Sequence, residues 1–192
     1  MADTNKIKYG IKNCYYAKAT ISTSGTATYS TPVALPGAVA LSLDAQGDTN
    51  KFFADNIVYF TSVSNNGYEG DLELAKVPET FLKDILGYIE DGAGALVEDA
   101  NAVPAHFALI GQFEGDAHAK RFVLYNCVAA RPSLSGNTKE ESIEPQTESL
   151  SITATTVYNS VLDTDVVKAS VSESTTGAYT TWLTTVYQTT TT

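Results

Sequence analysis

His106 and His118 are the chain's two histidines, and Cys14 and Cys127 its two cysteines. Neither histidine has a cysteine at ligand spacing, so the sequence writes no zinc site, and the two read as a loop-end and a turn histidine. No G-x-S-x-G run supplies a nucleophile elbow. Gly92-Ala93-Gly94 is too short for a dinucleotide fingerprint and lacks the strand, turn and helix such a fingerprint needs. It reads as a flexible turn. What remains is Glu69, Asp71 and Glu73. At alternate positions of a strand, three carboxylates share one face. Such a row is either a solvated outer face or a line of like charges turned toward a confined space. A calcium site would need further oxygen ligands from a loop. The expectation is therefore no catalytic residue, no metal and no cofactor, hence not an enzyme.

The elements that carry these residues must come from a chain of 192 residues, 43% of them hydrophobic. That suits a single domain over 1–192 with a real core. No apolar run approaches the roughly 20 residues of a membrane helix. The start, MADTNKIKYG, lacks the apolar region of a signal peptide, so the expectation is a protein made and used in a cytoplasm, or released without a signal-dependent route. The net charge of −10 opposes specific binding to nucleic-acid phosphates. In a reducing compartment Cys14 and Cys127 read as small buried hydrophobes rather than a bridge.

Period-two patterns dominate. Residues 7–19 read as a first strand and 22–31 as a turn into a second. Residues 32–43 read as a strand interrupted at Pro36-Gly37, and 44–51 (DAQGDTNK) as a polar loop. The run 52–62 is strand-like but broken at Asp55-Asn56, and Asn65-Asn66-Gly67 is a hairpin turn signal. In 68–76, Gly70, Leu72 and Leu74 face away from the three acids. Residues 78–87 form the one helix, with Pro78 and Glu79 at its start, Gly87 at its stop, and Phe81, Leu82, Ile85 and Leu86 as its apolar stripe. In 107–113 and 122–128 both strand faces are apolar, as in strands buried on both sides, with Phe122, Leu124 and Val128 opposite Val123, Tyr125 and Cys127. A polar arm spans about 133–148, and Leu150, Ile152 and Ala154 then mark a half-buried strand. Residues 163–171 and 178–187 read as two more strands, ending in a flexible tail at about 188–192. Short strands with one flanking helix make an antiparallel sandwich or barrel.

A hairpin tied to a long polar arm suits a protein that assembles with copies of itself, because unpaired strand edges can be satisfied by a neighbour. Aromatic pairs such as Tyr15-Tyr16, Phe52-Phe53 and Tyr59-Phe60 could stack bases, but without interleaved Lys or Arg they suit core and interface packing better. Two other readings are an adhesive or carbohydrate-binding β-sandwich on a virion or cell surface, suited by the Thr-rich end and scattered Tyr, and a hydrolase on a β scaffold, which lacks its catalytic constellation.

The order of YGIKNCYYA (9–17), PVALPGAVALSL (32–43), FFADN (52–56), GYEGDLELAKVPETFLKDILG (67–87) and KRFVLYNCVAARPSLSGNTKEESIEPQTESLSITA (120–154) resembles the major tail protein of long-tailed bacteriophages of Gram-positive hosts. The resemblance implies a tail tube-like fold, hexameric rings stacked into a hollow tube, and DNA passing through it into the host. It implies a virion protein assembled in the bacterial cytoplasm, with the tape measure and tail terminator as further partners. Arms and loops would bridge subunits and rings. Phe52, Phe53, Asp55, Asn56, Ser135, Asn137, Lys139 and Glu140 are the contact candidates, and Glu69, Asp71 and Glu73 the candidates for the lumen. Six copies at −10 give a ring about −60, which repels DNA from the wall.

Overall fold

The computed structural model of the chain describes residues 6–115, 117–136, 138, 145–174 and 177–189. Strand β1 (Lys8–Ile21) opens the fold. β2 (Ala27–Tyr29) turns back onto its end, and β3 (Val33–Ala34) pairs the same edge opposite Tyr15 and Tyr16. After the break at Pro36-Gly37 comes β4 (Ala38–Gln46), then β5 (Thr49–Ala54), β6 (Ile57–Val63) and β7 (Gly67–Leu74). Helix α1 (Glu79–Asp84) follows, with the small hairpin of β8 (Ile89–Glu90) and β9 (Leu96–Val97). β10 (Phe107–Gly115) and β11 (Lys120–Ala129) are the central pair. β12 (Glu148–Thr155), β13 (Val157–Asn159), β14 (Thr164–Val166), β15 (Lys168–Ser172) and helix α2 (Ala178–Thr181) complete the order.

The main sheet runs β2-β1-β10-β11-β12-β7-β4, every pairing antiparallel. β3 precedes β4 by a few residues yet pairs β1, and the Leu35 amide donates to the Cys14 carbonyl at 2.8 Å. The path from β1 to β4 thus returns to β1, and the sheet curls into a barrel. Inside sit Tyr16, Leu72, Leu74, Phe107, Leu109, Leu124, Leu150 and Ile152. α1 plugs one end of this core with Phe81 and Ile85, both fully buried. Phe81 meets Tyr16 and Phe107 edge-on at 5.0 and 5.4 Å, the geometry ring quadrupoles favour. Pro78 is the helix N-cap, with an extended backbone, rather than a residue of the first turn.

β10 and β11 are buried on both faces, as their apolar runs require. Their second face carries Ala108, Ile110, Val123 and Tyr125 against Val157, Val171, Trp182 and Val186 of the C-terminal segment. One phase differs from the sequence reading. Phe107 pairs with Cys127 and Leu109 with Leu124, so a bulge in β11 brings Cys127 onto the Phe122 and Leu124 face, inside the barrel.

Three further elements correct expectation. The 44–51 stretch is not a loop, because β4 runs to Gln46 and β5 starts at Thr49. Asn65-Asn66-Gly67 does not turn a hairpin, because β7 pairs β4 while β6 pairs β5. It is instead a joint in one long ribbon. The true turn is Asp55-Asn56, whose φ of 51° and 63° are the paired left-handed values of a two-residue hairpin. Gly67 sits at the joint with φ 96°, where a Cβ would lie 1.9 Å from the Ala154 carbonyl. Residues 178–187 are not a strand. They form α2 and following turns, and Tyr179, Trp182, Leu183 and Val186 meet one core at i, i+3, i+4, i+7, a set that strand alternation would split between two faces.

Candidate assembly surfaces

The outer face of β4, β7 and β12 is polar. Glu69 and Asp71 are exposed and Glu73 is partly covered, as period two demands. Across the ladders Glu69 faces Asp44 and Thr153, Asp71 faces Ser42 and Ser151, and Glu73 faces Ala40 and Ser149. The acids therefore stand in one row, flanked by small and hydroxyl side chains and by a fourth acid, Asp44, with no Lys or Arg among their ladder partners. Thr147 Oγ1 donates to Glu73 Oε1, so that carboxylate also tethers the chain entering β12. No group of three or more His, Cys, Asp or Glu among the described residues is placed to hold a metal.

A second surface is the ribbon tip, β5 and β6. Among the described residues its two strands pair with each other and with no further strand. Phe52, Phe53, Ile57, Tyr59 and Phe60 are 60–73% exposed, although a two-stranded hairpin alone in water is marginal. Phe52 lies opposite Phe60, and Asp55 and Asn56 make the tip. The contact candidates of this segment thus fall on one projecting, apolar arm.

The polar arm begins beyond β11 and ends at β12, beside α1. Its base is fastened. The Arg131 guanidinium donates to Glu98 Oε1, and Tyr88 Oη donates to Glu98 Oε2 at 2.9 Å. These two donors hold the exposed Glu98 carboxyl below its ordinary pKa, Arg131 contributing most. At the other side Glu148 Oε2 accepts the Val77 amide at 2.6 Å. Ser135 is exposed. Asn137, Lys139 and Glu140 lie outside the described residues.

The remaining candidates for chemistry are structural. Burial pushes the Cys14 thiol up to about 11 and the Cys127 thiol up to about 12, so both stay protonated and unreactive near neutrality. Both are free. His106 Nδ1 donates to Asn126 Oδ1 at 2.7 Å, and Asn126 Nδ2 donates to Thr155 Oγ1 and the Thr156 carbonyl, tying β11 to the end of β12. Sequence reasoning missed Arg121. Its Nε donates to Gln112 Oε1 at 3.1 Å, and its guanidinium lies 3.8 Å over the Tyr179 ring, clamping α2 to the barrel. A half-buried Arg directly before the apolar run Phe122–Tyr125 was the available signal.

No helix among the described residues is long and apolar enough to cross a membrane. No curated protein matches the chain. A family model described as phage tail tube protein matches residues 2–190, which takes in the barrel, both arms and the C-terminal cover. An antiparallel barrel with a projecting apolar hairpin, a fastened polar arm and an unpaired acidic face is the equipment of a subunit made to be joined to others, and with that match the chain belongs to the phage tail tube protein family, structural subunits of the virion tail.

Proposed function

We propose that six copies close into a ring, that rings stack into a hollow tube, and that the acidic face of β4, β7 and β12 lines its lumen. The observation that carries this is the row Glu69, Asp71 and Glu73, set on one sheet face with Ser, Thr, Ala and Asp44 as its ladder partners and no cation among them. A wall of that kind repels phosphates at every point, so DNA slides through without a binding step. The role is mechanical and needs no catalytic group.

The same reading gives the arms their partners. The exposed β4 edge offers unpaired backbone groups to a neighbour in the ring. The β5–β6 hairpin, with Phe52, Phe53, Asp55 and Asn56, buries its apolar surface on another copy. The polar arm around Ser135, Asn137, Lys139 and Glu140 bridges subunits or rings. The tape measure occupies the growing tube, the tail terminator stops it, and assembly takes place in the bacterial cytoplasm before the virion is released.

Negative-stain microscopy of the concentrated protein tests the reading. Rings or tubes about a hundred ångström across, the scale of six such domains, are expected. Particles that stay monomeric at every concentration, with or without tape measure protein, contradict it.

A further inference from the structure

α1 closes one end of the barrel, and the other end is open. There a groove of about 290 Å³ exposes part of the interior, with Leu41, Leu43, Phe113 and Phe122 on its floor. Phe113 and Phe122 stack at 4.9 Å and 23°, so the floor is a rigid apolar plate. Lys8, Lys120 and Lys168 stand around it. The Lys8 ammonium lies 4.3 Å over the Phe113 ring, and that of Lys168 lies 4.7 Å over the Tyr68 ring. None of the three forms an ion pair with a carboxylate among the described residues. Lys168 Nζ donates to Tyr68 Oη at 3.1 Å. In a chain with 12 basic residues against 22 acidic ones, three lysines without a carboxylate partner among the described residues around one apolar floor are a concentration of charge that calls for an acidic, partly apolar occupant.

The chain contains such a segment. Glu140-Glu141-Ser142-Ile143-Glu144, within the polar arm, carries three carboxylates and one large apolar side chain. We infer that the groove seats this segment from a second copy, with Ile143 on the aromatic floor and the glutamates on the three lysines. Topology selects the second copy. The groove lies at the Lys120 end of β11, whereas the arm leaves after Ala129 at its other end, about 30 Å away at strand rise. Copies stacked head to tail bring an arm end against an open barrel end, a contact that repeats without closing. The inference rests on the stacked-tube reading and adds to it the receiving surface and its chemistry.

Carbodiimide cross-linking of tubes grown from mixed ¹⁴N and ¹⁵N protein, read by mass spectrometry, tests it. Mixed-isotope links from Lys8, Lys120 or Lys168 to Glu140, Glu141 or Glu144 are expected. Links confined to single-isotope pairs, or links from these lysines to Asp55 of the hairpin tip, overturn it. The variant K8E/K120E/K168E should raise the concentration threshold for tubes at least tenfold, and adding E140K/E141K/E144K should restore it. E140Q/E141Q/E144Q, which leaves the groove untouched, should raise it likewise; an unchanged threshold there overturns the inference whatever the groove variant does. If wild-type protein forms no tubes, the stacked-tube reading fails on its own. The groove is then read by fluorescence anisotropy with a labelled peptide of residues 138–146, TKEESIEPQ: saturable binding to wild-type chain, lost in K8E/K120E/K168E, upholds the seat, and no binding removes it.

Discussion

Replacing Phe52 and Phe60 together by serine separates the roles of hairpin and barrel. The two rings face each other across the β5–β6 ladder and each is 61% exposed, so neither supports the core. Fully burying a Phe side chain is worth about 1.5–3 kcal/mol, and with three-fifths still exposed about 1–2 kcal/mol per ring remains to be gained on a neighbour. The pair then contributes about 2–4 kcal/mol to association. At 1.4 kcal/mol per tenfold, the threshold concentration for assembly should rise by about two orders of magnitude. Light scattering across a dilution series gives that threshold, and urea unfolding of the unassembled chain gives its stability. The expectation is a large rise in the first and an unchanged midpoint in the second. An unchanged threshold, or a monomer destabilised as much as the tube, would refute the assignment of the hairpin to assembly.

Three other outcomes follow from the same contacts. Trp182 is almost fully buried and stacks on Tyr187 at 4.6 Å, so Trp182→Ala should cost about 3–5 kcal/mol in urea unfolding, by stripping the second core of its cover. The triple variant E69K/D71K/E73K changes a surface row and should fold and form tubes, yet virions carrying it should release DNA more slowly, read by dye fluorescence after triggered ejection. Cys14 and Cys127 should resist a thiol reagent at pH 8 until the chain is unfolded. Their folded pKa values, about 11 and about 12, lie above the ordinary value of 9.0, so their contribution to stability is intact below pH 9 and falls as pH rises through 9 to 12. A chain more stable at pH 10.5 than at pH 8 would contradict that sign.

The barrel was legible where one element had a core to face. The doubly apolar runs of β10 and β11, the alternation of β7 and β12, and the stripe of α1 all carry burial directly in their periodicity. The ribbon from β4 to β6 was not legible, because its distal half, β5 and β6, is exposed along almost its whole length among the described residues. Without a buried face among the described residues there is little alternation, and DAQGDTNK reads as loop although backbone pairing makes much of it strand. Thr-rich composition suggested strand in 178–187, and the i, i+3, i+4, i+7 spacing of Tyr179, Trp182, Leu183 and Val186 carried the helical signal against it. A bulge cannot be seen in a period, so Cys127 was phased to the wrong face. The acids of β7 were legible as a row because they lie on one strand. Lys8, Lys120 and Lys168 come together only through the fold, from β1, β11 and β15, and no linear pattern announces them.

The account turns on which way the β4–β7–β12 face points, and a cryo-electron microscopy map of the assembled tube reads it directly. The account predicts six-fold rings with the carboxylates of Glu69, Asp71 and Glu73 on the lumen wall. A tube with those three side chains on its outer surface, or a lumen lined by Lys and Arg, would contradict it.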